Sequence, residues 1–283
     1  MDDVSTLMEE TAVAGGRFGA YHLRELINRG GCSEIWLATD AAGRSVAVRR
    51  LMNGSLFNFA ERSRFFAGCE LLAALQPHPF IIGYVEHGKI EGLPTLVMEY
   101  VEASNLKLLL ARADDLLGEQ LGNLLIDSAA ALEHTHDHGF MHLDFKPENI
   151  LVTRAGNVRL IDFDLAQPLP DAPRKSAKNP GTPAYMAPEQ LLREPFDHRA
   201  DIYAFGVTAY ELVTHQKPFP GESPEEILRR GLDRREFVAP RELNPGVPPA
   251  LERIILRCLD RDPLRRFPHV AGLRYELEKA LYV

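Results

Sequence analysis

The sequence predicts an α+β protein of two lobes. From Tyr21 to about Tyr100, short runs alternate apolar and polar residues, which is typical of half-buried strands. From about residue 104 onward, longer segments with helical periodicity dominate. Because strands come first and helices follow, we expect the two kinds of element to segregate into a β-rich lobe and a helical lobe.

The first lobe is predicted to be mostly strand. Its strand-like runs read YHLRELI, EIWLAT, SVAVRRL, IIGYVEHG and TLVMEY. A helix at about 58–75 interrupts them, and its apolar residues Phe65, Leu72 and Leu75 fall on one face. We therefore expect one helix among the strands.

The second lobe is predicted to be mostly helical. Its first long helix, LGNLLIDSAAALEHTHDH, is amphipathic, whereas ADIYAFGVTAYELVT is almost wholly apolar and is expected to be a buried helix. Further helices have Ser or Pro near their starts, as caps or first-turn residues: SPEEILRRGL, PPALERIILRCL and HVAGLRYELEKAL.

Composition argues against several functional classes. The chain has 283 residues and a net charge of −8, which disfavours nonspecific binding to nucleic acid or to an anionic membrane. Its three cysteines are widely spaced and form no CxxC pair, so neither a disulfide framework nor a zinc site is expected. No apolar run approaches the roughly 20 residues of a membrane span. The acidic start, MDDVSTLMEE, is unlike a secretory signal, so residues 1–18 are expected to be a loose leader of a cytoplasmic protein.

A glycine-containing turn lies between two of the predicted strands, at residues 27–38, INRGGCSEIWLA. Adjacent glycines let backbone amides approach phosphate oxygens closely. Taken alone, this stretch is also compatible with an ordinary glycine hairpin.

A short loop at residues 142–152, HLDFKPENILV, carries denser chemistry. It offers Asp144, Lys146 and Asn149 just before an apolar strand. A carboxylate, an ammonium group and an amide within one turn can receive a proton, hold a phosphate and ligate a metal.

The segment that follows, VRLIDFDLA at 158–166, comes after a turn at Ala155 and Gly156. This spacing predicts a hairpin that brings Asp162 close to Asn149. Oxygen ligands that converge in this way suit Mg²⁺. The alternative, two charged surface loops, is disfavoured because both segments sit beside strongly apolar strands.

A series of motifs then occurs in one order over about residues 21–280: the glycine loop, VAVRR, HLDFKPEN, DFD, GTPAYMAPE, DIYAFGV and CLDRDPLRRF. This order resembles that of eukaryotic-type (Hanks-type) serine/threonine protein kinases. The stretch NPGVPPALERIILRCLDRDP is most similar in style to bacterial members of that family.

The resemblance implies a bilobal protein-kinase-like fold, with the kinase domain at 19–283. It places a small β-rich N-lobe at 19–98, a hinge at 99–103 and a larger helical C-lobe at 104–283. It further implies ATP- and Mg-dependent transfer of the γ-phosphate to serine or threonine of a protein substrate. Nucleotide and protein substrate are the expected partners, and nucleic acid is not.

The resemblance also implies roles for individual residues. Asp144 would accept the substrate proton, Lys146 would neutralise the γ-phosphate, and Thr182 would brace both. The metal ligands would be Asn149 and Asp162. The nucleotide would be bound by Ile27, Gly30, Ile35, Ala47, Arg49, Met98, Glu99, Val101 and Leu151. Purely structural roles would fall to a buried ion pair and to an anchor of the catalytic loop, which are Glu189 with Arg266, and Asp201.

Two departures from the family pattern concern phosphate binding. Arg49 stands where the family has a lysine held by a glutamate of the neighbouring helix. Alignment of RFFAG with the family's RFxxE puts Gly68 at the glutamate position. The nearest acid, Glu70, lies about 200° farther around a helix and would face away.

Other departures are milder. Asn28 and Ser33 replace two glycines of the loop, and Asp164 replaces the glycine of DFG, either restricting the backbone or attracting a second cation. Leu143 replaces the arginine of HRD, so phosphorylation of the activation loop, at Ser176 or Thr182, is not expected to be an arginine-dependent on-switch.

Three functional classes follow from these observations. The first is an active serine/threonine protein kinase, favoured because the proton acceptor and both metal ligands are retained. The second is a pseudokinase that binds nucleotide or partners with little turnover, which Arg49 and Gly68 favour. The third, a small-molecule phosphotransferase, is disfavoured by GTPAYMAPEQ, a segment that builds a peptide-docking platform in the family.

Overall fold

The computed structural model describes residues 15–52, 59–176 and 181–281. Most of the predicted acidic leader, 1–18, lies outside these residues. The described chain divides into two compact units. One lies within Met1–Ala73 and Gly83–Val101, and the other within Ala74–Ile82 and Glu102–Val283. The predicted α+β class is confirmed, because the first unit is mostly sheet and the second mostly helix.

The first unit is built on a six-stranded antiparallel sheet. Its strands are β1 (Arg17–Phe18), β2 (Tyr21–Arg29), β3 (Ser33–Thr39), β4 (Ser45–Leu51), β5 (Tyr84–Ile90) and β6 (Leu93–Glu99). Their order across the sheet is β1-β2-β3-β4-β6-β5. The alternation of apolar residues in the sequence therefore predicted each of the longer strands.

One side of this sheet carries an apolar core. Trp36, Val48 and Val97 are at most 1% exposed and come from three neighbouring strands. Helix α1 (Phe59–Ala74) belongs largely to the same unit and buries Phe65, Gly68, Cys69, Leu71 and Leu72. Leu75, predicted on the same helical face, is fully buried but lies just beyond the helix end.

The second unit contains the remaining described helices. They are α2 (Leu106–Arg112), α3 (Leu116–Glu119), α4 (Leu121–Asp137), α5 (Pro188–Leu191), α6 (Arg199–Thr214), α7 (Pro224–Asp233), α8 (Pro240–Leu243), α9 (Pro249–Cys258) and α10 (Val270–Leu281). Every residue of α6 from Ala200 to Thr214 is buried, which confirms the prediction of a buried helix. Helices α4, α8 and α9 pack around it.

Short strands of the second unit position its loops. They are β7 (Ala103–Asn105), β8 (Phe140–Met141), β9 (Ile150–Thr153), β10 (Val158–Leu160) and β11 (Gln167–Pro168). Strands β9 and β10 form the predicted hairpin, with Leu160 opposite Ile150, and its turn uses Gly156 at a φ of 82°. That left-handed conformation favours glycine.

The segment Ala74–Ile82 packs with this second unit. Ile82 N–H donates to Leu160 O at 3.0 Å, and Leu160 N–H donates to Phe80 O at 2.8 Å. His134 of α4 bonds through Nε2 to Leu75 O at 2.9 Å. These bonds attach the segment both to α4 and to the strand that leads into Asp162.

None of the helices in the described ranges is long and apolar enough to cross a membrane.

Candidate active site

The loop between β8 and β9 brings together the three residues predicted to be catalytic. Lys146 Nζ donates to Asp144 Oδ2 at 2.7 Å and to Thr182 Oγ1 at 2.8 Å. The Thr182 hydroxyl is 3.4 Å from Asp144 Oδ1, to which it donates. A carboxylate and an ammonium group two residues apart thus form one cluster with a hydroxyl from a distant segment.

Asn149 joins this cluster through its side-chain amide. Its Nδ2 donates to Asp144 O at 2.8 Å and to Asp144 Oδ2 at 2.9 Å. Since the nitrogen is used in this way, the amide oxygen is the atom that can face a cation. Ile161 N–H donates to Asn149 O at 2.9 Å, so the hairpin brings Asn149 next to the segment that carries Asp162.

Asp201, at the start of α6, anchors the loop between β8 and β9 by accepting hydrogen bonds from its backbone. Its Oδ1 accepts from Leu143 N–H at 2.7 Å, and its Oδ2 accepts from His142 N–H at 2.8 Å and from His136 Nε2 at 2.9 Å. Burial alone raises the pKa of this carboxyl. The hydrogen bond and charge of His136, together with the Leu143 N–H, outweigh burial and hold the Asp201 pKa below its ordinary value. The anchor that the resemblance implied is present.

The ring of His142 ties the loop to the neighbouring hairpin. The ring is fully buried; its Nδ1 accepts from Asp144 N–H at 3.2 Å, and its Nε2 donates to Ile161 O at 3.2 Å. Phe163 packs edge-on against it, with ring centroids 5.0 Å apart. The segments carrying Asp144 and Asp162 are therefore held by one imidazole.

Two residues of this region adopt left-handed backbone conformations. Leu143 has a φ of 61° and Asp162 a φ of 64°. Such a conformation is unfavourable for leucine, and here Asp201 holds it through the Leu143 N–H. Asp164 is not among the described residues with positive φ, so the aspartate in the DFG glycine position adds no backbone strain in this conformation.

Four of the predicted nucleotide-binding residues share one face of the first unit's sheet. Ile35 lies opposite Arg49, and Ala47 lies opposite Met98. Because Ala47 and Arg49 are two residues apart on β4, their side chains point to the same face. The sheet register thus groups two apolar residues, a methionine and a cation.

The remaining predicted residues are more scattered. Ile27 is 48% exposed on β2, and Gly30 N–H donates to Ser33 O at 2.9 Å in the glycine turn. Glu99 N–H donates to Gly83 O at 2.7 Å, so Glu99 would contact a base through its carbonyl oxygen. Val101 follows β6 in the first unit, while Leu151 lies half-buried on β9 in the second.

A family model described as the protein kinase domain matches residues 21–275. This chain belongs to the protein kinase domain family. The match covers both structural units, from the start of β2 into α10. The resemblance inferred from the order of motifs is thereby confirmed.

Three curated relatives of this kinase domain come from bacteria. A probable serine/threonine-protein kinase of Streptomyces coelicolor is 35% identical over 97% of this chain and 41% of its own length. Serine/threonine-protein kinase PknB of Mycolicibacterium smegmatis is 32% identical over 91% of this chain and 42% of its own length. PksC of Streptomyces coelicolor, also a serine/threonine-protein kinase, is 33% identical over 94% of this chain and 49% of its own length. The chain therefore spans less than half the length of these relatives.

Kinase-family membership implies the use of ATP and a divalent cation. The donor set formed by the Asn149 amide oxygen and the Asp162 carboxylate fits Mg²⁺, which proteins hold through one or two carboxylates while phosphates and water complete the octahedron. Within the described ranges, no group of three His, Cys, Asp or Glu side chains is placed to hold a metal.

The family's helix glutamate has no counterpart where the alignment puts it. Gly68 lies on the buried face of α1, one turn after Phe65, whereas Glu70 is exposed. The burial pattern supports the alignment on Gly68. Arg49 lies over the Phe65 ring of the same helix, with Cζ 5.4 Å from the ring centroid. Sequence reasoning missed this contact, although the Phe65 position on the apolar stripe was a usable signal.

A second contact that the sequence did not indicate braces the segment after Thr182. Tyr185 OH donates to Glu211 Oε2 at 2.5 Å, and Lys107 Nζ donates to Glu211 Oε1 at 2.6 Å. Burial, the hydrogen bond to Glu211 and the charge of that carboxylate raise the pKa of Tyr185, so its hydroxyl keeps its proton. Lys107 and Glu211, which are 104 positions apart in sequence, thus hold the segment after Thr182 in place. No local sequence motif predicts this contact.

Proposed function

We propose that this chain transfers the γ-phosphate of ATP to a serine or threonine hydroxyl of a protein substrate. The observation that carries the proposal is the cluster of Asp144, Lys146, Thr182 and Asn149. The names of the relatives support the serine/threonine class. We also propose that the domain extends over 19–283 and acts in the cytoplasm, for which the absence of a disulfide among its three cysteines is support.

Phosphoryl transfer needs alignment and charge neutralisation more than covalent participation by the protein. Asp144 orients the substrate hydroxyl and accepts its proton, and it is already fixed by Asn149 and by His142. Lys146 places a positive charge beside Asp144, where the γ-phosphate arrives. On the substrate side, the Thr182 hydroxyl bonds to both Lys146 and Asp144 and so fixes the two side chains relative to each other.

We assign the role of metal ligand to Asn149 and Asp162. Mg²⁺ bound there would neutralise charge that develops on the phosphate oxygens. The chain's own contribution is to fix Asn149 against Asp144 and to carry Asp162 two residues after strand β10.

The test is phosphate transfer with a matched control. The purified chain is incubated with Mg²⁺, γ-labelled ATP and a generic basic protein, beside Asp144→Asn, which keeps the shape but cannot accept the proton. We expect label on serine and threonine, and a loss of about 10²–10⁴-fold in the control. Equal label in both samples, or label confined to tyrosine, would overturn the proposal.

A binding measurement distinguishes an active kinase from the pseudokinase alternative. Mg-ATP at about a hundred times its dissociation constant adds about 2.7 kcal/mol to the free energy of unfolding. A thermal shift without label on any protein would assign the chain a scaffold role, whereas a shift together with transfer supports the enzyme.

A further inference from the structure

The guanidinium group of Arg49 is contacted from two elements of the first unit. Its Cζ lies 5.4 Å from the centroid of the Phe65 ring on α1. Its Nε is 3.5 Å from Ser33 Oγ, at the start of β3. A cation within about 6 Å of a ring centroid is attracted by the negative face of the ring. Two of the contacts of this group therefore lie on the helix and beside the glycine turn.

The Phe65 ring is itself fixed in place. It is 1% exposed, and Phe66 packs edge-on against it with centroids 5.7 Å apart and an interplanar angle of 80°. Phe66 in turn contacts His87 of β5, at 6.3 Å between centroids. A ring held from its edge cannot turn away from the cation without breaking this packing.

The residue one turn farther along α1 is a glycine. Gly68 is buried on the same face as Phe65 and offers no side chain. The helix therefore presents an aromatic ring toward Arg49, one turn before the position where the family resemblance places an acid.

We propose that Phe65 is a positioning residue that holds Arg49, together with Ser33, for contact with the nucleotide phosphates. The inference rests on the proposed function, because it assigns Arg49 to the phosphates. The pairing favours arginine: a planar, weakly hydrated guanidinium suits a ring face and donates from Nε, whereas a lysine ammonium is strongly hydrated and has no Nε.

The experiment measures Mg-ATP affinity by titration calorimetry and separates KM from kcat in the transfer assay. Phe65→Leu keeps apolar volume but removes the ring face, and we expect it to weaken affinity about five- to tenfold and to raise KM more than it lowers kcat. Phe65→Tyr keeps the face and should retain affinity within about twofold. Phe18→Leu, which removes a ring from beside Arg50 and leaves the Arg49 contacts in place, is the matched control and should also stay within about twofold.

A double-mutant cycle shows whether Phe65 acts through Arg49. In an Arg49→Met background, Phe65→Leu should change Mg-ATP affinity by less than about twofold, because the cation is already gone. An equal loss in both backgrounds would mean that Phe65 only packs the helix, and would overturn the inference.

Arg49→Lys provides a second test that does not disturb the core. It keeps the charge but loses the stack and the Nε donor, so affinity should fall by about three- to tenfold. Affinity equal to or tighter than that of wild type would overturn the inference, even if Phe65→Leu failed to fold. A wild-type chain that binds no Mg-ATP would overturn the proposed function as well, which distinguishes the two failures.

Discussion

Arg266 and Glu189 form a two-pronged ion pair inside the helical unit. Nη1 donates to Oε1 at 2.6 Å and Nη2 donates to Oε2 at 2.8 Å, and the two side chains are 0% and 6% exposed. Arg266 also donates to the carbonyl oxygens of Asp260 and Arg199. The pair that the family resemblance implied therefore links α5 to the segment before α10.

The first prediction concerns the stability that depends on this pair. Glu189→Gln removes the charge that compensates buried Arg266, and we expect it to lower the free energy of unfolding by about 3–5 kcal/mol. Urea unfolding measures the change. The control is Glu133→Gln at the partly exposed pair with Arg274, which should cost about 0–1 kcal/mol. Similar losses in the two variants would contradict the prediction.

The second prediction concerns the anchor of the catalytic loop. In Asp201→Asn one oxygen becomes an amide nitrogen that cannot accept, so at least one of three buried donors, on His136, His142 and Leu143, loses its partner. We expect a loss of about 1–3 kcal/mol in urea unfolding, with slower phosphate transfer because the loop shifts. Unchanged stability would show that the three bonds do not hold the loop.

The third prediction tests whether the Thr182 hydroxyl positions the catalytic side chains without contributing to nucleotide binding. Thr182→Val keeps the shape of the side chain but removes the hydroxyl between Lys146 and Asp144. Loss of a hydrogen bond to a charged group, worth about 1.5–3 kcal/mol, should lower kcat about 10- to 150-fold while KM for ATP changes little. Thr182→Ser retains the hydroxyl and should recover most of the rate. If the serine variant were as slow as the valine variant, loss of the hydroxyl would not be the cause of the lower kcat.

The fourth prediction is a pH dependence of stability. His78 stacks on His134, with centroids 4.1 Å apart, and His134 contacts His138 at 4.0 Å. Burial, followed by the charges of His134 and His138, lowers the pKa of His78 from 6.5 to about 4. Between these values the unfolded chain binds more protons than the folded chain, so stability falls as the pH drops from about 6.5 toward 4.

The measurement compares melting temperatures at pH 7 and pH 5. His78→Gln removes the titrating ring, so the pH 7 to pH 5 drop should be smaller in this variant than in wild type. His22→Gln, on the exposed side of β2, is the control for loss of one histidine. An equal drop in wild type and His78→Gln would sink the assignment to His78.

Local patterns were sufficient to predict most elements of the fold. Apolar alternation marked 45–51 as a strand with the limits that β4 has, and the apolar run at 200–214 became the buried α6. The four-residue helices α3, α5 and α8 went unpredicted, because four residues contain barely one turn and show no periodicity.

The candidate site was predictable where its residues lie on one short stretch or one hairpin. Asp144, Lys146 and Asn149 share a loop, and the turn spacing brought the segment of Asp162 beside it. Contacts between distant segments, such as Lys107 with Glu211, depend on how helices pack, which a single sequence does not encode in any local period.

The contact between Arg49 and Phe65 has a consequence for control of this domain. A benzene ring gains no proton under acid conditions, and its lack of net charge leaves little for dissolved ions to shield. This contact therefore keeps its strength at a pH where a carboxylate partner would be neutralised. Switching this contact off requires the Phe65 ring or the guanidinium group itself to move.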